Sequence, residues 1–154
     1  QAFPMPLAME ETIMPDDTIA YMNPPNTAPA QGLYSHCTEV PAGKTLYIAG
    51  QLSVGLDGRV VGKNDFGAQM HQVLDNLGAV LDGTGLGYTD IIKFTTYLVH
   101  SQDIEEFMKI RAEVFPKLFG GTLYPPNTLL MVHRLVKEEF LIEIESVAYA
   151  GSAG

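Results

Sequence analysis

The chain holds a single cysteine, Cys37, in 154 residues. One thiol rules out an internal disulfide and fits a reducing compartment, so a cytoplasmic location is expected. Basic side chains are scarce too: nine Lys and Arg stand against eighteen Asp and Glu, for a formal net charge of −9. The nine are scattered rather than gathered on one run, which argues against nucleic-acid binding driven by counterion release. No stretch approaches the roughly 18 apolar residues of a membrane span. The first residues lack a basic region followed by an apolar core, so no secretory leader is expected. The four histidines, His36, His71, His100 and His133, fall in different expected elements without metal-ligand spacing. Cys37 follows His36 on an expected strand, which sends the two side chains to opposite faces and makes a Cys-His nucleophile pair improbable. "GTGLG" follows a helix instead of opening one, so it lacks the helix N-terminus of a phosphate loop.

What is present is the pattern of one compact domain, 46% apolar and 18% charged. Residues 1–30 stand apart as an extended or partly disordered arm, holding six of the ten prolines and no hydrophobic period. The domain proper is expected over 31–150, with a short tail at 151–154. "LYSHCTEV" and "KTLYIAGQL" read as strands joined by a tight turn at Pro41-Ala42-Gly43, and "LDGRVVG" as a hairpin loop with a short strand. From Asp65 the period changes. Met70, Val73, Leu74, Leu77 and Leu81 line one face of a helix that Gly83 and Gly85 end. "DIIKFTTYLV" is a strand by its β-branched and aromatic content. A second helix, capped by Ser101 or Asp103, should turn Ile104, Phe107, Met108, Val114, Phe115 and Leu118 inward. Pro116 should bend or end its last turn, and Gly120-Gly121 should close it. Strands at Asn127–Leu135 and Phe140–Ala150 complete the order β-β-β-α-β-α-β-β. An α+β domain follows, mostly one sheet with both helices on one face.

Two helices cover only one face of such a sheet, yet both faces carry apolar side chains. In "FLIEIESVAYA", Phe140, Ile142, Ile144 and Ala148 point one way; Leu141, Glu143, Glu145, Val147 and Tyr149 point the other. A homo-oligomer that buries the second face is expected, with the N-terminal arm as the rival cover. Glu143 then lies at an interface. It is either a solvated or ion-paired rim charge or, in a pocket, a carboxylate raised by burial toward proton transfer.

"GLYSHCTEV", "LYIAGQL", "LDNLGAVLDGTGLGYTDIIKFTTYLV" and "PPNTLLMVHRLVKEEFLIEIESVA" together resemble the Rid (YjgF-like, reactive intermediate deaminase) family, in the family's order from Gly32 to Tyr149. The resemblance implies a chorismate-mutase-like fold, a homotrimer with clefts between subunits, and hydrolysis of 2-imino and 2-enamino acids without metal or cofactor. It matches the family's Gly-x-Tyr-Ser with Gly32, Tyr34 and Ser35, and its Ser-Gly-Gln with Ala49, Gly50 and Gln51. The water-orienting Glu falls on Glu143 once one extra residue in the "LVKEEF" turn is allowed. The departure is at "PPNT". Deaminating members carry there an Arg that grips the substrate carboxylate, and this chain carries Asn127, with Leu129 where Cys is frequent. Asn is neutral and cannot form a bidentate charged pair. Two readings follow. The first is a hydrolase of an imine, enamine or related C=N compound, with Glu143 activating water, Tyr34, Asn127 and Gly50 positioning a small-molecule substrate, and Leu129 as an apolar wall. The second is a non-catalytic trimer of the same fold that binds a small ligand or a protein.

Overall fold

The computed structural model describes residues 18–151; residues 1–17 of the expected arm and 152–154 of the expected tail lie outside them. Four strands form the main sheet: β3 (Thr45–Gln51), β4 (Ile91–Leu98), β5 (Asn127–Met131) and β6 (Ile142–Tyr149). Their spatial order is β3-β6-β4-β5. β6 runs antiparallel to both β3 and β4, and β4 runs parallel to β5. Helices α1 (Phe66–Gly83) and α2 (Ile104–Phe119) contribute to one core cluster with Ile48, Ile91, Phe94, Leu98, Ile142, Ile144 and Ala148. Both helices therefore lie against the same face, as expected.

Local chemistry sets the helix ends. Asp65 caps α1 by accepting from the Ala68 N–H at 2.9 Å. At the other end Gly85 takes φ +76, and the Leu86 N–H reaches back to the Leu81 carbonyl at 2.9 Å, closing a Schellman-type turn. The expected inner face of α1 is wholly buried. In α2 the outcome differs in detail. Asp103 occupies the N-cap position without a capping bond from its side chain. Pro116 neither ends nor interrupts the helix, which runs three residues further to Gly120, a left-handed cap at φ +66. Met108 is exposed, whereas Ile110 and Arg111 are buried.

The largest departure concerns the first strands. "LYSHCTEV" yields only β2 (Cys37–Glu39), which does not pair with β3. It pairs antiparallel with β1 (Ala20–Met22), a strand inside the proline-rich segment, in a separate two-stranded sheet. Pro41-Ala42-Gly43 is thus a bend between sheets and not a hairpin turn. Part of the arm is ordered onto the domain, because Tyr21 donates its hydroxyl to the Ile91 carbonyl and Thr38 donates to that of Ile92. The expected loop at Asp57-Gly58 does form, but only one bridge, Val54 to Val60, flanks it. β5 and β6 are shorter than expected.

Two amides on α1 fix the strands that matter below. Buried Gln69 donates to the carbonyls of Gly62 and Glu139 and accepts from the Leu141 N–H at 2.9 Å, which holds the entry to β6. Asn76 donates to the carbonyls of Leu52 and Val54, which holds the chain just after β3.

Candidate functional site

β6 alternates. Ile142, Ile144, Ser146 and Ala148 are buried, while Glu143, Glu145 and Val147 between them are half-buried on the open face. Glu143 lies opposite Tyr97 of β4, and Glu145 opposite Thr95. On the far side of β6 the backbone of Gly50 passes so close that a Cβ there would stand 1.9 Å from Oε1 of Glu143. Glycine is thus needed at position 50 to leave the carboxylate its place. Burial raises the Glu143 pKa above the usual carboxylate range, and the neighbouring charge of Glu145 adds to the shift. Glu145 accepts a hydrogen bond from the Tyr97 hydroxyl, and that bond is the main reason the phenol is raised. One carboxylate is engaged by a phenol. The other, Glu143, makes no side-chain hydrogen bond among the described residues.

The open face continues across the sheet. Tyr47 is 83% exposed there. With Ala49, Lys93, Thr95, Glu145 and Val147 it lines a shallow hollow of about 440 Å³. A neighbouring hollow of about 580 Å³ extends it past Thr38 and Thr128.

The other expected site residues lie elsewhere in the chain. Asn127 opens β5 opposite Phe94, and Leu129 stands opposite Thr96; both lie on the helix side of the sheet. Asn127 Oδ1 accepts from the Thr96 hydroxyl at 2.8 Å, and Leu129 packs against the core. Tyr34 sits in the bend before β2, where its hydroxyl accepts from the Gln31 N–H at 3.1 Å. Its ring meets His36 edge-on at 6.1 Å. A single chain thus brings Gly50 to Glu143 but leaves Asn127 and Leu129 on the opposite face of the sheet, and Tyr34 in a loop outside it.

Sequence reasoning placed Glu145 on the face of Glu143 but missed Arg111, Gln69 and Tyr97 as parts of these neighbourhoods; for Arg111 and Gln69 the signal was there. Helical spacing could have found the first two. Arg111 lies four residues from both Phe107 and Phe115, and Gln69 four residues before Val73, on the inner stripes of their helices.

Comparison with known proteins agrees with this architecture. A family model described as Endoribonuclease L-PSP matches residues 25–150. The chain is 38% identical over 118 residues to a RutC family protein of Pyrococcus horikoshii, covering 77% of this chain and 87% of that one. It is 31% identical over 125 residues to the 2-iminobutanoate/2-iminopropanoate deaminase of Rattus norvegicus, covering 80% and 85% respectively. Among solved structures, a conserved Rid family protein of Yersinia pestis superposes with a TM-score of 0.76 at 34% identity, over 85% of this chain and 98% of that one. No described helix is long and apolar enough to cross a membrane. By the extent of the family match, and with relatives aligned over most of their length, the chain belongs to the Rid (YjgF-like) family, that of the RutC proteins.

Proposed function

We propose that the protein is a hydrolase of small C=N compounds, imines or enamines, acting without a cofactor in clefts between the subunits of a cytoplasmic homotrimer. The observation that carries this reading is Glu143: a half-buried carboxylate with a raised pKa, on a face that the described residues leave open and with no side-chain hydrogen bond among them. A general base works best when its pKa approaches the working pH, and burial moves Glu143 that way. In the reaction Glu143 takes a proton from water as the oxygen adds to the imine carbon. It passes that proton to the nitrogen to give a carbinolamine, then takes the hydroxyl proton and delivers it to the nitrogen as the C–N bond breaks, so that both protons of the water end on ammonia and its oxygen stays in the carbonyl product. The rat relative's name as an imino-acid deaminase supports the reaction class. The exposed Tyr47 and the half-buried Val147 on the open face support self-association, and a second subunit would be needed to bring Asn127 and Leu129 of one chain toward Glu143 of another. The family model's description names an endoribonuclease, but a net charge of −9 with scattered cations speaks against holding an RNA backbone.

The test is ammonia release from a panel of imines and enamines generated in situ, using the full chain and Glu143→Gln. The substitution keeps shape and removes basicity, so turnover should fall by roughly 100-fold or more. Equal turnover on a substrate the unaltered protein accepts would reject Glu143 as the base.

A second reading, a non-catalytic ligand-binding trimer, has one observation in its favour. Asn127 is neutral and engaged with Thr96, so it offers no charge to a substrate carboxylate. Binding of C=N compounds without ammonia release would favour it.

A further inference from the structure

Two carboxylates on one face of a strand, separated by a single residue, oppose each other's ionisation. Glu143 and Glu145 are such a pair, both half-buried on the open face of β6. When like charges are held close, the surroundings decide which group is the easier to protonate. Here the surroundings differ through one side chain. Tyr97 stands opposite Glu143 on β4, and its hydroxyl reaches diagonally to donate to Oε1 of Glu145. The bond to Glu145 is the first cause of the raised phenol pKa, and the charges of Glu145 and Glu143 add to it. The phenol therefore stays protonated through the neutral range and remains a donor.

Glu143 has no such donor among the described residues. Gly50 of β3 confines it on the other side, where a Cβ would meet its carboxylate. Burial and the charge of Glu145 both push its pKa upward. The other titratable side chains of this face stand further along the sheet. Lys93 of β4 and Tyr47 of β3 both lie opposite Val147, on the far side of Glu145 from Glu143. His36 lines the more distant hollow with them. β5 adds only Thr128 and Leu130, opposite Thr95 and Tyr97. Along the register, then, Glu145 is the first charge that Glu143 meets.

We infer that Tyr97 and Glu145 are positioning residues for Glu143: the phenol clamps the Glu145 carboxylate beside it, and that fixed negative charge keeps Glu143 basic enough to take a proton from water. An unclamped glutamate on an open face swings into water, where its charge is screened. The bond to Tyr97 prevents this. The inference rests on the hydrolytic reading for its consequence in turnover, but the clamp itself can be measured without substrate.

The test follows the Glu143 carboxyl carbon by carbon-13 NMR through an acid titration of the 154-residue chain, beside the pH profile of turnover. Glu145→Gln removes the neighbouring charge, so the Glu143 midpoint should move to lower pH. Tyr97→Phe removes one oxygen and releases Glu145, so the midpoint should move the same way by less. Glu138→Gln deletes an equal charge at the exposed pair with Arg134 and should leave the midpoint in place. In turnover, the acid limb of the Glu145→Gln profile should move down with the midpoint. Its plateau should also fall, by less than the roughly 100-fold expected of Glu143→Gln, because a weaker base remains. Should Glu145→Gln fail to fold, Tyr97→Phe carries the same test with its smaller change. A merely structural role for the pair would lower turnover at every pH and leave the Glu143 midpoint where it is, and that result would overturn the inference. A midpoint that rises in either variant would do the same. A midpoint that falls while the acid limb stays put would uphold the clamp and reject Glu143 as the base, so the two readings fail separately.

Discussion

The two faces of the main sheet are built from the same strands and could hardly differ more. On the helix side, Phe94, Phe115, Phe119 and Tyr124 form an aromatic cluster, with ring centres between 5.2 and 6.2 Å apart. Ile142, Ile144 and Ala148 of β6 are 3% exposed or less on that side. On the other side the intervening residues of β6 meet Tyr97, Lys93 and Tyr47, with two carboxylates and two hollows among them. The difference teaches a division of labour within a single strand. Period-two alternation lets the packed side hold β6 rigid while the open side presents Glu143 at a fixed place. Gln69 and Asn76 extend this control, because α1 uses them to fix both the entry to β6 and the exit from β3.

The comparison can be sharpened by changes on each face. The largest effect should come from the packed side. Phe94→Ala opens a cavity in the aromatic cluster and should cost about 3–5 kcal/mol in denaturant unfolding. A loss below about 1 kcal/mol would mean the helix side is not the part that holds the fold.

Next comes Gly50→Ala, which adds one methyl group where Oε1 of Glu143 now lies. The backbone at position 50 needs no left-handed conformation, so the effect should fall on the carboxylate. Displacement of a reacting group by an ångström can cost about 100-fold, and turnover should fall on that scale while circular dichroism stays unchanged. Unchanged turnover would separate Glu143 from the chemistry.

The smallest effect is on stability against pH. The folded state raises the Glu143 pKa, so the charged form opposes folding once pH rises through that value. Glu143→Gln removes this opposition. Its melting temperature should therefore lie slightly above that of the unaltered protein at neutral pH. The gap should close as pH falls below the usual carboxylate range, where both carry a neutral side chain. A gap that widens in acid would reverse the sign of the shift.

Much of this was legible in the sequence because it is local. The inner face of α1 follows a period of 3.6 through Met70, Val73, Leu74, Leu77 and Leu81, and every one of them is buried. The alternation of β6 was legible too, with Ile142, Ile144 and Ala148 buried and Glu143, Glu145 and Val147 half-buried between them. The pairing of β1 with β2 was not legible, since three-residue strands carry no usable period and proline spacing hides them. Pro116 misled for a related reason: in the last turn of α2 a missing N–H does little harm when three more residues and a left-handed glycine complete the helix. Arg111 was hidden by its charge, which marks a surface residue by habit, although its spacing from Phe107 and Phe115 pointed inward. Whether Asn127 and Glu143 ever meet is a question for two chains, and no single sequence period answers it.

The central claim is that the open face is closed by further copies of the same chain, which completes the site around Glu143. Light scattering on the 154-residue chain at micromolar concentration measures this directly. A homotrimer gives about three times the 16.8 kDa of one chain. The account predicts that mass, and a species of single-chain mass at the same concentration would contradict both the interface and the site placed within it.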